Sequence, residues 1–404
     1  MAAKAVAKKK RSKKAVTNPT VNYGARIKVI GIGGGGSSAV SRMRDDLGIR
    51  GVEFIAINTD AQDLDYSNVR RKIYIGKNLT KGLGTGMNPD IGRQAAEENR
   101  SEIAESLKGA DLIFLTFGAG GGTGSGAGPV IAEVAKETGA LTIAVVTKPF
   151  AFEGAQRSRI AQEALVKLKD KVDTLIVVPN DHIFSLIKKD TPIIKAFEAI
   201  DDVLRGAVAG ISELISNHGI INVDFADVRA VMQDAGPALI GVGYGTTQER
   251  AITAVNQAVN SPLLEIAIDG ARSVLFAVAG GRDLKMTEIN EAAKVISGAI
   301  DPSAKVIFGA YYDKRLKPGQ VKITVIATGF NGQIIKNVEA TMPSLFSVSR
   351  AGKEETSKAT LAGSKLATVK EYELNEDVKS IDKKKEKKEE DDKWDIPAFL
   401  RKKR

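Results

Sequence analysis

Apolar residues in the first half of the chain fall into short continuous runs, separated by longer segments in which they recur every three or four positions. Such runs are typical of strands buried in a parallel sheet, and the segments between them are typical of helices. Strands, with the polar residues that end some of them, are predicted at residues 25–30, 52–60, 110–117, 141–149 and 172–181. The alternation predicts an α/β fold built on a doubly wound, Rossmann-like sheet.

A long amphipathic helix is predicted over residues 191–219. Thr191 can cap its start, Pro192 suits its first turn, and Gly219 suits its end. Its apolar positions follow helical spacing and are Ile193, Phe197, Ile200, Leu204, Ala207, Ile211 and Ile215. About 25 residues at 1.5 Å each give a length of ~38 Å, which is enough to join two domains.

The residues after this helix predict a second, smaller α/β domain. Its strands are expected at residues 272–279, 304–310 and 321–327, with helices near 247–260 and 287–298. The polar, lysine-rich ends of the chain predict disorder. The predicted segments are a basic tail (1–24), the doubly wound domain (25–190), the central helix (191–219), the C-terminal domain (220–330), a linker (331–390) and a terminal peptide (391–404).

Four segments rich in glycine or polar residues follow the predicted strands. The densest is Gly118–Gly126, where six of nine residues are glycine between a strand and a helix. Glycine lets a backbone approach a ligand closely, and free N–H groups ahead of a helix attract anions. Because the carboxyl ends of parallel strands share one edge of a sheet, the four segments predict one phosphate-binding crevice. Its candidate contacts are Gly33, Gly34, Gly35, Gly36, Asn58, Asp60, Thr85, Gly86, Met87, Gly120, Gly121, Gly122, Thr123, Gly124, Ser125 and Gly126.

The sequence lacks the lysine-containing phosphate motif GxxxxGK[ST]. A phosphate site without that lysine must rely on backbone N–H groups, helix dipoles and a metal ion. A second interpretation is an oxidoreductase that binds NAD through Gly31–Gly36, with Asp60 on the ribose. The NAD interpretation leaves the glycines of Gly120–Gly126 unexplained.

The charge of the chain is concentrated at its two ends. The formal net charge is +10, of which residues 1–20 carry +7 and residues 331–404 carry +3, so the remainder is neutral. The predicted folded body is therefore not a specific nucleic-acid binder by charge, and the basic tails are the candidates for contact with anionic membranes.

The composition of the chain argues against several other classes of protein. The chain has no cysteine and only two histidines, His182 and His218, far apart in sequence, so neither disulfides nor a His-rich zinc site is expected. We find no run of about 18 apolar residues and no apolar core of a secretory signal. A cytoplasmic protein is the simplest expectation.

Several motifs between Ile27 and Phe330 resemble, in order and spacing, those of the FtsZ family, the bacterial cell-division relatives of tubulin. Gly120–Gly126 matches the family's phosphate loop, GGGTG[ST]G. Further matches are Asn58–Asp60, Thr147–Phe150, Phe152–Gly154 and Asn222–Asp227, and the terminal Asp395–Arg401 resembles the peptide with which FtsZ binds membrane-tethering partners. The sequence departs from the family's usual residues at Ser37, Ser38 and Ala119, and Asp201 stands where many members have asparagine and others aspartate.

The resemblance implies a GTPase that binds GTP or GDP with Mg²⁺ and polymerises head to tail. Phe197 and Asp201 then bind guanine together with Asn180, since a carboxylate can accept both N–H donors of guanine whereas adenine presents an acceptor there. Glu153 and Arg157 contact the sugar and phosphate end, although by spacing alone they are an ordinary helix ion pair. Asn58 and Gln62 are the candidates for the water shell of the metal.

The resemblance also implies that Asp224 and Asp227, with Asn222 shaping the site, enter the nucleotide site of the next subunit and polarise the attacking water. On sequence alone the favoured explanation of the two aspartates is that they cap and charge the N-terminus of the following helix. The family's activity further implies assembly at the division site beneath the inner membrane and recruitment of division proteins through Asp395–Arg401. A GTP-binding scaffold without hydrolysis is the remaining alternative.

Overall fold

The computed structural model describes residues 24–330, except residues 48–50, 186, 189, 217–218, 247 and 262–267. The predicted linker and terminal peptide, all but the last residue of the basic tail, and His218 lie outside the described residues.

The first half of the described chain alternates strands and helices, as the apolar runs predict. The elements are β1 (Ile27–Ile32), α1 (Gly33–Leu47), β2 (Val52–Asn58), α2 (Ala61–Tyr66), β3 (Arg71–Tyr74), α3 (Lys77–Thr80), α4 (Pro89–Glu98), α5 (Arg100–Leu107), β4 (Leu112–Gly118), α6 (Gly122–Glu137), β5 (Leu141–Lys148), α7 (Ala155–Lys169) and β6 (Thr174–Pro179). Short 3₁₀ turns at Ala151–Glu153 and Asn180–Ser185 follow β5 and β6. The strands pair in parallel in the order 3-2-1-4-5-6, which is the order of dinucleotide-binding sheets.

The second half is built around the long helix α8. Its elements are α8 (Ile193–Ser216), α9 (Phe225–Met232), β7 (Gly236–Gly245), α10 (Arg250–Val259), β8 (Ser273–Gly280), α11 (Met286–Gly298), β9 (Lys305–Tyr312) and β10 (Val321–Thr328). β10 pairs antiparallel with both β7 and β8, and β8 pairs in parallel with β9. β7 also pairs in parallel with β6, so the described strands form one ten-stranded sheet.

Two apolar layers cover the parallel part of the sheet, one on each face. All six residues of β1 are buried, and alternate residues belong to different layers: Val29 joins one, Ile30 the other. A third cluster lies between the C-terminal strands and the helices α10 and α11. The fold is therefore the predicted doubly wound α/β domain, a long helix and a smaller α/β domain.

Three predicted boundaries need correction. α1 begins at Gly33 rather than near Ala39, and α6 begins at Gly122, so both glycine-rich segments form the first turns of helices instead of separate loops. α8 begins at Ile193, and the carbonyl of Pro192 accepts the first helical hydrogen bond from Ala196 N. Pro192 is thus the residue that precedes the helix, one position later than Thr191.

Strand β7 is not predicted from the sequence because of its glycines. Gly241, Gly243 and Gly245 lie on one face of the strand, and a Cβ on any of them would lie 1.9 Å from a backbone oxygen of α10. The helix therefore packs directly on the strand backbone. Glycine is unfavourable in a strand taken alone, and here close helix packing requires it.

Candidate functional site

Two helix N-termini meet at the carboxyl edge of the parallel sheet. Gly33 opens α1 with φ +70°, and a Cβ there would lie 3.1 Å from Gly124 N in the first turn of α6. Gly34 and Gly35 are exposed at the same place. The first N–H groups of a helix lack helical partners and carry its positive dipole end, so two such termini side by side form an anion site.

The segment before α6 is a closed loop. Gly120 N donates to Ser125 Oγ over 2.9 Å, and Ala119 N donates to the Thr147 carbonyl over the same distance. Gly120 has φ +100°, and a Cβ there would lie 2.9 Å from the Arg157 carbonyl at the start of α7. Glycine is therefore required here both by backbone conformation and by space.

Threonine hydroxyls join three of the four predicted segments. Thr123 Oγ1 lies 2.7 Å from Thr59 Oγ1, after β2, and 3.5 Å from Thr85 Oγ1, in the loop before α4. The four segments thus converge as predicted.

The buried glycines of α6 have a packing role as well as their predicted ligand role. A Cβ on Gly122 would lie 2.2 Å from Thr85 Oγ1, and one on Gly126 would lie 2.0 Å from the Pro89 carbonyl. Both glycines are buried, as are Thr123, Gly124 and Ser125 between them. Close contact between α6 and the start of α4 accounts for these two glycines without any ligand.

The end of β2 is organised by side chains that bond to one another. Asn58 is buried, accepts from Thr59 N at 2.8 Å and donates to Asp63 Oδ2 at 2.7 Å. Asp60 caps α2 by accepting from Asp63 N at 3.1 Å. Gln62 is exposed on the first turn of α2.

Asp63 is a candidate that the sequence analysis missed. A Cβ on Gly34 would lie 3.5 Å from Asp63 Oδ2, so this carboxylate borders the exposed start of α1. Burial, and then the charge of Asp60, raises the pKa of the Asp63 carboxyl above its usual range. Its position three residues after Asp60 in one helical turn is the sequence signal that could have identified it.

The loop from residue 81 to residue 88 is shaped by left-handed backbone. Gly82, Gly84 and Gly86 have positive φ, and so does Met87, at +65°. Thr85 is buried, whereas Gly86 is exposed. The loop therefore presents backbone at residues 86 and 87, while Thr85 bonds inward to Thr123.

Glu153 and Arg157 form the predicted i,i+4 ion pair at the start of α7. Arg157 Nη1 lies 2.6 Å from Glu153 Oε2, and Glu153 Oε1 accepts from Phe150 N at 2.9 Å. Because the backbone of Arg157 lies against Gly120, the pair borders the closed loop.

A partly open aromatic cluster stands at the N-terminal end of α8. The Phe197 ring is 44% exposed and meets Phe150 edge-on at 5.8 Å between centroids. Phe150 is buried and also packs against Phe152 and Phe184. Phe197 thus offers a supported ring with a free surface, as base stacking requires.

Asn180 and Asp201 supply polar groups at the same end of the molecule. Asn180 is buried, and its Oδ1 has no hydrogen-bond partner within the described residues. A buried acceptor without a partner is costly, so it is a candidate for a ligand contact. Asp201 lies one turn after Phe197, and its Oδ2 pairs with the guanidinium of Arg42 in α1.

The acidic segment Asn222–Asp227 lies beyond the opposite end of α8. Asp224 Oδ1 accepts from Asp227 N at 2.8 Å and caps α9, and Asn222 Oδ1 accepts from Gly219 N at 2.7 Å. Asp224 is exposed. Asp201 and Ser216 are 15 residues apart in one helix, or ~22 Å at 1.5 Å per residue, so the structure does not bring the acidic segment to the glycine loops of its own chain.

Clusters of metal-ligating side chains are absent from the described residues: His, Cys, Asp and Glu form no group of three or more suited to a metal ion.

None of the helices in the described ranges has the length and apolarity needed to cross a bilayer.

Comparison with known proteins assigns both halves of the fold. Residues 26–188 match the Tubulin/FtsZ family, GTPase domain, and residues 236–331 match the FtsZ family, C-terminal domain. An empty FtsZ dimer from M. jannaschii is 46% identical with a TM-score of 0.72, over 77% of this chain and 89% of that one. A tryptophan-to-tyrosine mutant of FtsZ from the same organism is 45% identical with a TM-score of 0.73, over 77% and 92%.

A more distant structure shares the fold alone. CetZ2 from Haloferax volcanii, a GTPγS-bound protofilament, is 23% identical with a TM-score of 0.68 over 78% of this chain and 97% of that chain. Two family matches and two FtsZ structures above 40% identity give the same assignment. The chain belongs to the FtsZ family of the tubulin/FtsZ superfamily.

Proposed function

We propose that this protein is a cytoskeletal GTPase that polymerises head to tail and hydrolyses GTP between adjacent subunits. The observation that carries the proposal is the separation of two half-sites along α8. Phe197 and Asp201 lie at its start, near the glycine loops, whereas Asp224 follows its far end. The half-sites meet only when two copies stack.

The guanine half-site consists of Phe197, Asp201 and Asn180. Phe197 offers its exposed ring to the base, and the Asp201 carboxylate accepts from N1–H and the 2-amino group of guanine. The buried Asn180 Oδ1 gains a donor when the pocket is filled. Adenine places an acceptor opposite Asp201, so the pocket favours GTP over ATP.

The phosphate half-site uses backbone rather than lysine. Its backbone donors come from the first turn of α1 (residues 33–36), from residues 121–124 at the start of α6, and from residues 85–87, with Arg157 and Glu153 at the sugar and phosphate end; of the other predicted residues, Gly120 N and Ser125 N are engaged within the loop. The unpaired N–H groups at the two helix starts fit the phosphate charge.

Mg²⁺ fits beside these donors. It is usually bound by one or two carboxylates together with substrate phosphates. The Asp63 carboxylate borders the start of α1, and Asp60 accepts from Asp63 N. Of the earlier candidates, Gln62 is exposed and free to contact the water shell, while both ends of the Asn58 amide are engaged. Bound Mg²⁺ would neutralise charge on the phosphates during transfer.

Hydrolysis depends on the acidic segment of the next subunit. Asp224 and Asp227 orient and polarise the attacking water at the phosphate half-site of that neighbour, and Asn222 holds the preceding turn. A head-to-tail contact that does not close on itself produces an open filament. Similarity to an FtsZ dimer supports such self-association.

At the cellular scale we propose a filament that forms the division ring at mid-cell beneath the inner membrane and recruits other division proteins. The terminal segment Asp395–Arg401 is the proposed docking peptide for membrane-tethering and regulatory partners. The lysine-rich tails are proposed to add contact with anionic lipid.

Substitution of Asp224 by asparagine tests the enzymatic role without removing the helix cap. Asparagine caps a helix as well as aspartate, so Asp224→Asn should leave the melting temperature unchanged. It should lower GTP hydrolysis by ~100-fold or more, the usual contribution of a catalytic acid or base. Hydrolysis is measured as phosphate release per molecule against protein concentration, in Mg²⁺ and potassium.

The wild-type rate per molecule should rise above a threshold concentration, because each site needs a neighbour. A rate that stays constant would show that each subunit hydrolyses alone. Tight GTP binding without any phosphate release would leave the non-hydrolysing scaffold, and bound NAD in the purified protein would support the oxidoreductase.

A further inference from the structure

We propose that Arg42 is a positioning residue that keeps the base-reading carboxylate of Asp201 ionised, and so sets the affinity for guanine nucleotides near neutral pH. The inference deepens the proposed function and rests on it. Arg42 lies in α1, nine positions after Gly33, and its guanidinium Nη2 contacts Asp201 Oδ2 on α8. One helix thus contributes both to the phosphate half-site and to the guanine half-site.

The charges around Asp201 make Arg42 its main cationic partner. The pocket beside Asp201 has a volume of about 220 Å³, and its charged lining residues are Arg42 from α1 and Glu198, Asp202 and Arg205 from α8. Lys195 lies 2.5 Å from Glu198, and Arg205 lies 2.6 Å from Asp202, so both neighbouring acids have basic partners within α8. For Asp201, the basic partner comes from another element.

Burial opposes the charge on Asp201. Its side chain is only 13% exposed, and burial raises the pKa of its carboxyl to about 6 despite Arg42, which lowers it. Asp202 and Glu198 raise the same pKa further. Removing Arg42 therefore leaves burial and two like charges unopposed, and more of the protein is protonated at Asp201 near neutral pH.

Protonation of the Asp201 carboxylate would replace one of the acceptors for guanine by a donor. N1–H and the 2-amino group both donate, and an ionised carboxylate accepts from both, whereas a protonated one turns an O–H donor toward them. A carboxylate has about four acceptor positions, so Asp201 can accept from Arg42 and from guanine together. Arg42 is about half exposed, which also leaves its side chain room to adjust.

The test is the pH profile of GDP binding to the full-length, nucleotide-free protein, by calorimetry from about pH 5.5 to about pH 8.5. The variants are R42Q, R42K and D201N. Asparagine at position 201 does not titrate, so the GDP affinity of D201N changes with pH only through groups other than Asp201, such as the GDP phosphates. Dividing the affinity of each protein by that of D201N at the same pH removes those contributions. Thermal unfolding at each pH verifies that every variant is folded.

The wild-type ratio should be constant above about pH 7 and should fall as the pH drops through 6, to about a quarter of its alkaline value at about pH 5.5, since only the ionised fraction binds. With R42Q the fall should begin at higher pH, and the two proteins should converge at the alkaline end. R42K keeps the charge and should follow the wild type. In a D201N background, R42Q should have no pH-dependent effect.

Two results would overturn the inference alone. One is an R42Q loss of the same factor at every pH, and the other is a pH-dependent R42Q loss that persists in D201N. A folded wild-type protein that binds no GDP at any pH would instead overturn the proposed function, and this inference with it.

Discussion

Single glycines decide whether the phosphate half-site can close. Gly122 is buried where α6 meets the loop before α4 and Gly126 where it meets α4 itself, and a Cβ on either would lie within 2.2 Å of a neighbouring oxygen. Their role in packing explains why the segment contains more glycines than phosphate contact alone requires. Gly120 and Gly33 also have positive φ, which favours glycine whatever the space around the Cβ position.

Replacing Gly122 by alanine should destabilise the protein. The added methyl meets Thr85 Oγ1 at 2.2 Å and Asn88 N at 2.7 Å, and backbone must shift to make room. Overpacking of this kind costs ~1–3 kcal/mol in the free energy of unfolding, which urea denaturation measures. Gly298→Ala is the matched control, because nothing lies within 4 Å of its Cβ position at the end of α11, and it should be neutral or slightly stabilising. Equal stability of the two variants would contradict this account of Gly122.

The glycine loops and the acidic segment could be identified from the sequence because each carries its signal within a few residues. Arg42 carries no such local signal and Asp63 carries only its spacing from Asp60, since the importance of both residues comes from contacts across elements. Arg42 faces Asp201 from a different helix, and Asp63 borders Gly34 only after α2 has folded back beside α1. A short motif identifies functional residues that are close in sequence. It does not identify residues from other elements that contact them in the folded protein.

At the scale of elements, α8 links the two halves of the molecule through a buried charge cluster. Glu213 on α8 is almost fully buried and pairs with Lys322 Nζ at 3.0 Å, with Tyr311 Oη at 2.8 Å and with Arg315. Lys322 lies on β10 and Tyr311 on β9. The cluster therefore holds the C-terminal strands against the helix that bears the guanine half-site.

Glu213→Ala should weaken the fold much more than loss of an exposed ion pair. Removal of the carboxylate leaves the buried Lys322 ammonium without its carboxylate partner, and breaking a buried pair in this way costs ~3–5 kcal/mol. Glu163→Ala, which removes only the exposed pair with Arg159, should cost ~1 kcal/mol or less. Chemical denaturation of both variants measures the difference. A Glu213→Ala protein as stable as the control would show that the cluster does not hold the two halves together.

The elements themselves could be predicted where local pattern and packing agree. The buried strands β1, β2, β4, β5 and β6 follow their apolar runs, and α8 follows its spacing. Strand β7 and the first turns of α1 and α6 were not predicted, because their glycines oppose regular structure locally. Packing of α10 on β7, and of α6 on α4, outweighs that local preference.

At the scale of the whole molecule, the described residues hold two incomplete half-sites at opposite ends of α8. The residues proposed to contact guanine and phosphate lie at one end of α8, and the exposed Asp224 lies beyond the other end. Neither end can therefore complete the proposed reaction alone. The proposed function therefore couples hydrolysis to stacking: a GTP molecule bound at a filament end without a neighbour would lack the proposed catalytic acids.

The most direct test of the shared site mixes two variants that are each inactive. Asp201→Ala impairs the guanine half-site and Asp224→Asn impairs the acidic half-site, so each protein alone should release little phosphate from GTP. In an equal mixture, random stacking joins an intact nucleotide site to an intact acidic segment at about a quarter of the contacts, and hydrolysis should recover accordingly. A mixture no more active than the sum of its two components would contradict the central claim, because it would place the whole active site within one chain.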